Sequence, residues 1–186
     1  MKAADLIAFE QEIEAEFNAG HIKAPVHLAG GNEEQLIEIF KSIEPSDWVL
    51  CTWRSHYHAL LKGVPREEVK DAIMAGRSIS LCFPDYLVLS SGIAGGICPI
   101  AVGLALAGRR VWAFVGDMTA EMGIFHECWK YSAKNDLPVH WVIEDNGMSV
   151  LTNTRESWGT SWTPQQTRYQ YKMTRPHVGT GTFVRF

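Results

Sequence analysis

Residues 111–147 constrain the fold of this chain more than any other stretch. An apolar run at 111–115 ends at Gly116-Asp117, residues 121–134 read as a helix, and a second apolar strand at 138–143 ends at Glu144-Asp145-Asn146-Gly147. Two strands joined by one crossover helix in so few residues are expected to lie parallel. Asp117 and Asn146 then leave neighbouring strands at the same carboxyl edge, where open α/β sheets bind ligands. One carboxylate beside one amide oxygen suits a hard divalent cation that keeps coordination sites for phosphate oxygens. The chemistry this points to is an anchor for Mg²⁺ and a diphosphate.

The remaining pattern agrees with such a sheet. Helices are expected over 3–19, 33–42, 55–62 and 66–75, the last two stopped by Gly63 and Gly76, with a strand at 48–52. Residues 77–90 read as extended or looped, and 95–107 as a helix that tolerates Pro99 in its first turn. Short apolar strands alternating with helices predict a doubly wound, mostly parallel α/β sheet. Residues 152–186 carry aromatics without periodicity and read as an irregular tail packed on a neighbour, the whole of 1–186 forming one domain.

Composition narrows the function classes. A chain of 186 residues that is 46% apolar can bury a core without disulfide staples. The four cysteines show no CxxC spacing, which fits reduced thiols in a cytoplasm better than a secreted framework or a zinc site. A net charge of −4 without a basic cluster argues against nucleic acid, and the sequence contains neither GxGxxG nor GxxxxGK(S/T). Residues 1–17 contain five acids, unlike a signal peptide. The uncharged stretch 86–108 would, as a membrane span, have to tolerate two serines, Pro99 and five glycines. A glycine-rich turn feeding a buried helix is the simpler account, so no membrane span is expected.

The 116–146 spacing resembles the thiamine diphosphate motif, GDG followed about thirty residues later by NN. Within it, the pattern is similar to the alpha subunit of 2-oxo acid dehydrogenase decarboxylating components, GDGxxxxGxxxExxxxAxxxxLPVxxVxENN. Gly116, Asp117, Gly123, Glu127, Leu137, Pro138, Val139, Glu144 and Asn146 fall in register with it. The resemblance implies a thiamine diphosphate-binding fold. In it Asp117, the Asn146 side chain and the Met148 carbonyl would hold Mg²⁺, with Gly116, Met118 and Thr119 along the diphosphate. Two positions depart: Met118 replaces glycine and Asp145 replaces the first asparagine. A positive φ at Met118 would cost about 1–3 kcal/mol. Asp145 adds negative charge beside a diphosphate unless it faces away.

Three further segments extend the likeness over residues 20–152. GHIKAPVHLAGGNEEQ resembles GhxrgxxHLxxGQEA, which implies that His27 lies near the active-site entrance. Residues 47–64 resemble DxxxxxYRxHxxxLxxG, which implies a diphosphate contact for Arg54, with Trp53 in the tyrosine place. Independently of the likeness, an arginine at a strand-to-helix boundary is suited to an anion. His56 fits the same pattern and could face substrate, with a structural histidine as the alternative, whereas His58 matches nothing and is expected at the surface. Residues 92–105 resemble GIVGxxxPxAxGxA, implying that the backbone at Gly92 and Ala94 holds the aminopyrimidine ring, since small residues let a flat heterocycle approach the main chain. On helix 121–134, Met122, Phe125, Trp129 and Ala133 form a core stripe, and Glu127 is read as an interface or structural residue.

In this family the glutamate that activates the aminopyrimidine comes from a partner chain, and no residue here matches it. The expectation is therefore half a site: an alpha-type subunit, dependent on thiamine diphosphate and Mg²⁺, acting on a 2-oxo acid. A beta-type partner would complete it in an α2β2 hetero-oligomer or, alternatively, a homodimer. A split transketolase-like or sulfopyruvate decarboxylase-like subunit, and a non-catalytic binding or regulatory relative, are the competing readings. Residues 78–80 stand where the family's GGSMH loop carries SMH, and no RxHxxS loop is matched before Phe186, which leaves transfer to a lipoyl carrier unassigned.

Overall fold

The computed structural model describes residues 1–159 and 167–185. Strand β1 (Trp48–Cys51) follows Asp47, whose carboxylate accepts from the Glu44 amide and the Trp112 indole. Its neighbours are β2 (Cys82–Phe83), β3 (Val88–Ser90), β4 (Val111–Gly116), β5 (Val139–Asp145) and β8 (Thr167–Gln170). A hairpin of β6 (Met148–Ser149) and β7 (Thr152–Asn153) stands apart from them. The sheet order is β2-β3-β1-β4-β5-β8, parallel throughout except for β2 against β3.

Alternation along β4 decides what covers each face. Trp112 and Phe114 join a core with residues of α1 (Ala3–Asn18), α2 (Glu33–Phe40), α3 (His56–Leu61) and α4 (Arg66–Met74). Val111, Ala113 and Val115 join a second core with α5 (Ile97–Leu106) and α7 (Gly123–Lys134). Helices on both faces of a mostly parallel sheet make this a doubly wound α/β fold, as the strand–helix alternation predicts. Chain connections run from β1 towards β3 on one side, and from β4 towards β5 on the other. The crevice between the carboxyl ends of β1 and β4 is therefore the topological switch point.

Several local expectations need correction. His58 is not at the surface but 1% exposed, its ring edge-on to Phe114 at 4.6 Å. It belongs to α3, which is buried at five of its six positions and so shows no amphipathic period. Phe125 is fully buried on α7, whereas Met122 and Trp129 are half-buried and Ala133 is exposed, so the core stripe is narrower than its spacing suggests. Within the stretch expected to be irregular, residues 167–170 form the edge strand β8 and Thr154–Trp158 form α8, capped by the Asn153 side chain. Residues 160–166 and 186 of that tail lie outside the described residues. No helix among the described residues is long and apolar enough to cross a membrane.

Candidate functional site

The register of β4 with β5 pairs Gly116 with Glu144, so Asp117 and Asn146 do leave neighbouring parallel strands at one edge. After Gly116 the chain turns at once into α6 (Asp117–Ala120), a single helical turn. Met118 therefore does not adopt positive φ, and methionine replaces glycine there without backbone strain.

A small cavity of about 30 Å³ sits at the switch point, with room for one or two waters. Eight of the residues singled out by sequence meet there: Trp53 and Arg54 beyond β1, Gly116, Asp117, Met118 and Thr119 beyond β4, and Asn146 and Met148 beyond β5. Thr52, Glu144, Ser149 and Tyr171 complete the wall. His27, His56, Gly92 and Ala94 do not line it.

The polar groups in this cleft are under-satisfied in a way that suits a charged guest. Asp117 is 3% exposed, and its Oδ2 has no hydrogen-bond partner. Burial, with Asp145 nearby, raises its pKa above the ordinary carboxylate value. The Thr154 hydroxyl lies close enough to oppose that rise but outside hydrogen-bonding geometry. Arg54 Nε and Trp53 Nε1 are likewise buried without acceptors. Burial lowers the Arg54 pKa, while Tyr171, Glu144 and Asp117 oppose it. Buried polar atoms without partners cost free energy unless something supplies them.

The Asn146 side chain is poised by contacts with Met148, Tyr171 and Met173. Its Oδ1 accepts from the Met148 amide at 2.9 Å and its Nδ2 donates to the Tyr171 hydroxyl at 3.1 Å. Gly147 between them has φ of +74°, a conformation that a side chain would strain. Asp145 does not line the cleft. Burial would raise its pKa, but hydrogen bonds from Arg168 and Gln170 outweigh that and hold it below the usual value. Glu144 is 6% exposed and accepts from the Tyr169 hydroxyl at 2.5 Å and from Asn32 Nδ2 at 3.2 Å.

The two histidines named from the sequence lie elsewhere. His56 is fully buried: Nδ1 meets Glu10 at 3.0 Å and Nε2 meets the Ser78 hydroxyl at 2.9 Å. With both ring nitrogens used and no exposure, it ties α1, α3 and residue 78 together in this structure. His27 is half-buried beside Trp53, ring centroids 6.0 Å apart, with Nδ1 3.0 Å from the His177 carbonyl. Burial lowers its pKa. Gly92 and Ala94 lie in an exposed loop that leads into α5.

Sequence reasoning missed the C-terminal segment. The His177 carbonyl accepts from Arg54 as well as meeting His27. The Thr174 and Gly179 amides donate to Gly30 and Val26. Gly31 is needed for this approach, because a Cβ there would lie 2.1 Å from the Lys172 carbonyl oxygen. Two signals were present. Arg168-Tyr169-Gln170-Tyr171 alternates with period two, and Arg175-x-His177-x-x-Thr180 has the RxHxxS spacing with threonine in the last place.

The sequence profile of the dehydrogenase E1 component family matches residues 1–171. The chain belongs to that family. It is 30% identical over 161 residues to the alpha subunit of acetoin:2,6-dichlorophenolindophenol oxidoreductase from Cupriavidus necator, a match covering 78% of this chain and 48% of that protein. It is 30% identical over 178 residues to pyruvate dehydrogenase E1 component subunit alpha-3, chloroplastic, from Oryza sativa subsp. japonica, covering 80% of this chain and 42% of the relative. The corresponding alpha subunit of Porphyra purpurea is 29% identical over 166 residues, covering 76% and 48%. The chain thus spans about half the length of these E1-family relatives.

Proposed function

We propose that this chain is the diphosphate-anchoring, alpha-type subunit of an enzyme that uses thiamine diphosphate and Mg²⁺ on a 2-oxo acid, with an active site completed by a beta-type partner. One observation carries the reading: a buried carboxylate oxygen of Asp117 and a buried Arg54 Nε, both without partners, share the switch-point cleft with Asn146. An anion bridged by a divalent cation satisfies all three. Asp117, the Asn146 Oδ1 and the Met148 carbonyl are oxygen donors of the kind Mg²⁺ takes, leaving further positions to phosphate oxygens. Among the described residues no three of His, Cys, Asp and Glu gather as a metal cluster, so a soft or imidazole-rich metal has no comparable place.

Thiamine diphosphate, when bound, supplies the electron sink that accepts the carbanion released on decarboxylation. The chain's own residues do the holding. Arg54 contributes a charged donor to the diphosphate, Gly116 to Thr119 line its path, and Trp53 excludes water beside them. His27, near the entrance, is the one of the two proposed catalytic histidines that stays within reach of the cleft. Gly92 and Ala94 stand ready for a flat ring only if another surface covers them.

That cover is the partner's proposed role. Next to the 92–96 loop, Pro99, Val102 and Leu106 of α5 and Cys128 and Tyr131 of α7 line a largely apolar hollow of about 320 Å³, with Leu106 and Tyr131 exposed. A contiguous apolar face of this kind fits a protein partner. The four cysteines are free thiols, which fits a reducing cytoplasm. The test is titration calorimetry of the chain, co-purified with its partner, using thiamine diphosphate with and without Mg²⁺. Saturable heat that needs both is expected; no heat under either condition refutes the reading.

A further inference from the structure

The oxygen donors at the ends of β4 and β5 are braced by one residue that belongs to neither strand. After Asn146 the chain runs out through the β6–β7 hairpin, whose register sets Met148 opposite Asn153, and returns into α8. The Asn153 side chain accepts from the Arg155 and Glu156 amides at 2.9 and 3.1 Å, which fixes where that helix begins. Thr154, its first residue, donates its amide to the Gly147 carbonyl at 3.0 Å. The Thr154 backbone therefore ties down the turn between Asn146 and Met148.

Its side chain meets the other donor. Thr154 is 2% exposed and does not line the cleft, and among the described residues its hydroxyl has no hydrogen-bond partner. It lies beside the Asp117 carboxylate, whose Oδ2 is also buried and unpartnered. Four residues further on, the Trp158 indole donates to the Met118 sulfur at 3.0 Å. Residues i and i+4 share one face of a helix, so α8 lays that face along α6, with Thr154 at Asp117 and Trp158 at Met118. A donor and an acceptor thus stand buried side by side, each costing free energy until it is satisfied. A carboxylate that gives one oxygen to a cation can take this hydroxyl at the other. We propose that Thr154 is the positioning residue for Asp117: with the cation bound, its hydroxyl donates to one carboxylate oxygen and holds the other towards the metal. This rests on the reading of Asp117 as a metal donor. Outer partners that orient metal donors are typically worth about 10- to 100-fold in metal affinity.

The test uses Mn²⁺ as the probe, with saturating thiamine diphosphate and the full chain together with its co-purifying partner. Free Mn²⁺ is read by electron paramagnetic resonance. Thr154→Val keeps the shape and removes the hydroxyl, so Mn²⁺ should bind about 10- to 100-fold more weakly. Without ligands the same variant should melt no lower than the original, because it deletes an unsatisfied buried hydroxyl. A purely structural role would not separate the two readouts. Thr154→Ser restores the donor and should restore the affinity. Ser157→Ala is the control, removing an exposed hydroxyl that donates to the Asn153 carbonyl at 2.9 Å, and should leave Mn²⁺ affinity unchanged. Thr154→Val binding Mn²⁺ as tightly as the original chain overturns the proposal. So does weaker binding that comes with a lower ligand-free Tm, that Thr154→Ser shares, or that Ser157→Ala matches, since each assigns the effect to α8 as a whole. An unaltered chain that takes up no Mn²⁺ is a different failure: the metal reading itself falls, and this inference with it.

Discussion

Asp117→Asn should move two properties in opposite directions. In the cofactor-free protein, Asp117 is a buried carboxylate with one oxygen unpartnered, and Thr154 beside it has an unpartnered hydroxyl. An asparagine amide placed there can donate to that hydroxyl and carries no charge to desolvate. An unsatisfied buried polar group costs about 1–3 kcal/mol, and more when charged. Removing it should therefore raise stability by about that amount. For a chain of this size 1 kcal/mol corresponds to roughly 2–4 °C, so Tm should rise by about 2–12 °C. The same substitution removes the charged metal donor. The stabilisation that Mg²⁺ with thiamine diphosphate gives, about 2.7 kcal/mol at a hundred times Kd, should then vanish. Acidity supplies an internal control. Because burial raises the Asp117 pKa, the folded state holds this proton more tightly than the unfolded chain does. The contribution to cofactor-free stability is thus fully present below the unfolded pKa and is lost as pH rises through the raised folded pKa. Asp117→Asn should flatten that part of the profile. Differential scanning calorimetry across pH, with and without ligand, measures all three effects. A lower Tm in the cofactor-free variant, or ligand stabilisation that survives, would refute the argument.

Three other perturbations separate cleft from scaffold. Arg54→Ala should weaken thiamine diphosphate about tenfold to a hundredfold in calorimetry, the loss of a charge-assisted contact worth about 1.5–3 kcal/mol; an unchanged Kd removes it from the site. His56→Ala leaves the Glu10 carboxylate buried without its histidine, and a loss of about 3–5 kcal/mol in denaturant unfolding is expected. The folded fraction should keep its cofactor affinity, and a large affinity loss at unchanged stability would return His56 to the active site. Tyr169→Phe deletes a short hydrogen bond to the Glu144 carboxylate, so unfolding should become easier by about 1.5–3 kcal/mol. No change there means that Asn32 and the nearby His58 ring suffice for Glu144.

What could be read from the sequence follows from how locally it is encoded. The β4–α7–β5 unit was legible because 111–115 is an uninterrupted apolar run, 139–143 is one broken only by His140, and the helix between them has a period. The place of Arg54 beside the cleft was legible because the apolar run of β1 ends just before it, at the carboxyl edge of the sheet. The three-residue β3 was not, since it has only Val88 to Ser90 to announce it and borrows its stability from β1. His58 misled because α3 is covered on all sides, so a polar residue there carries no sign of facing water. The orientation of Asp145 depends on Arg168 and Gln170, more than twenty residues further on. No local pattern at the 145–146 pair could reveal it. β8 was hidden for a similar reason: Tyr169 is held by Glu144 and Asn32, and its four residues lack an apolar run.

The C-terminal segment then has a consequence for loading the cleft. About 30 Å³ at the switch point is too small for a diphosphate, and the contacts that close it come from residues 171–177. The His177 carbonyl uses the Arg54 guanidinium, and the Tyr171 hydroxyl takes the Asn146 amide. A phosphate oxygen is a charged acceptor and outcompetes a neutral carbonyl for the same guanidinium. Seating a phosphate across both Nε and NH2 of Arg54 takes NH2 from the His177 carbonyl, which loosens the Gly179 amide on Val26 and the Thr174 amide on Gly30. Hydrogen exchange at Gly179 and Thr174 should quicken when thiamine diphosphate and Mg²⁺ are added. Arg54→Ala should speed it without any ligand, because the carbonyl has lost its donor. The Asp145 end, tied down by two arginines, should stay protected at Tyr171 in both cases. Exchange at Gly179 that is indifferent to both the ligand and Arg54 would mean that the cleft opens elsewhere, through the β6–β7 hairpin that carries Ser149.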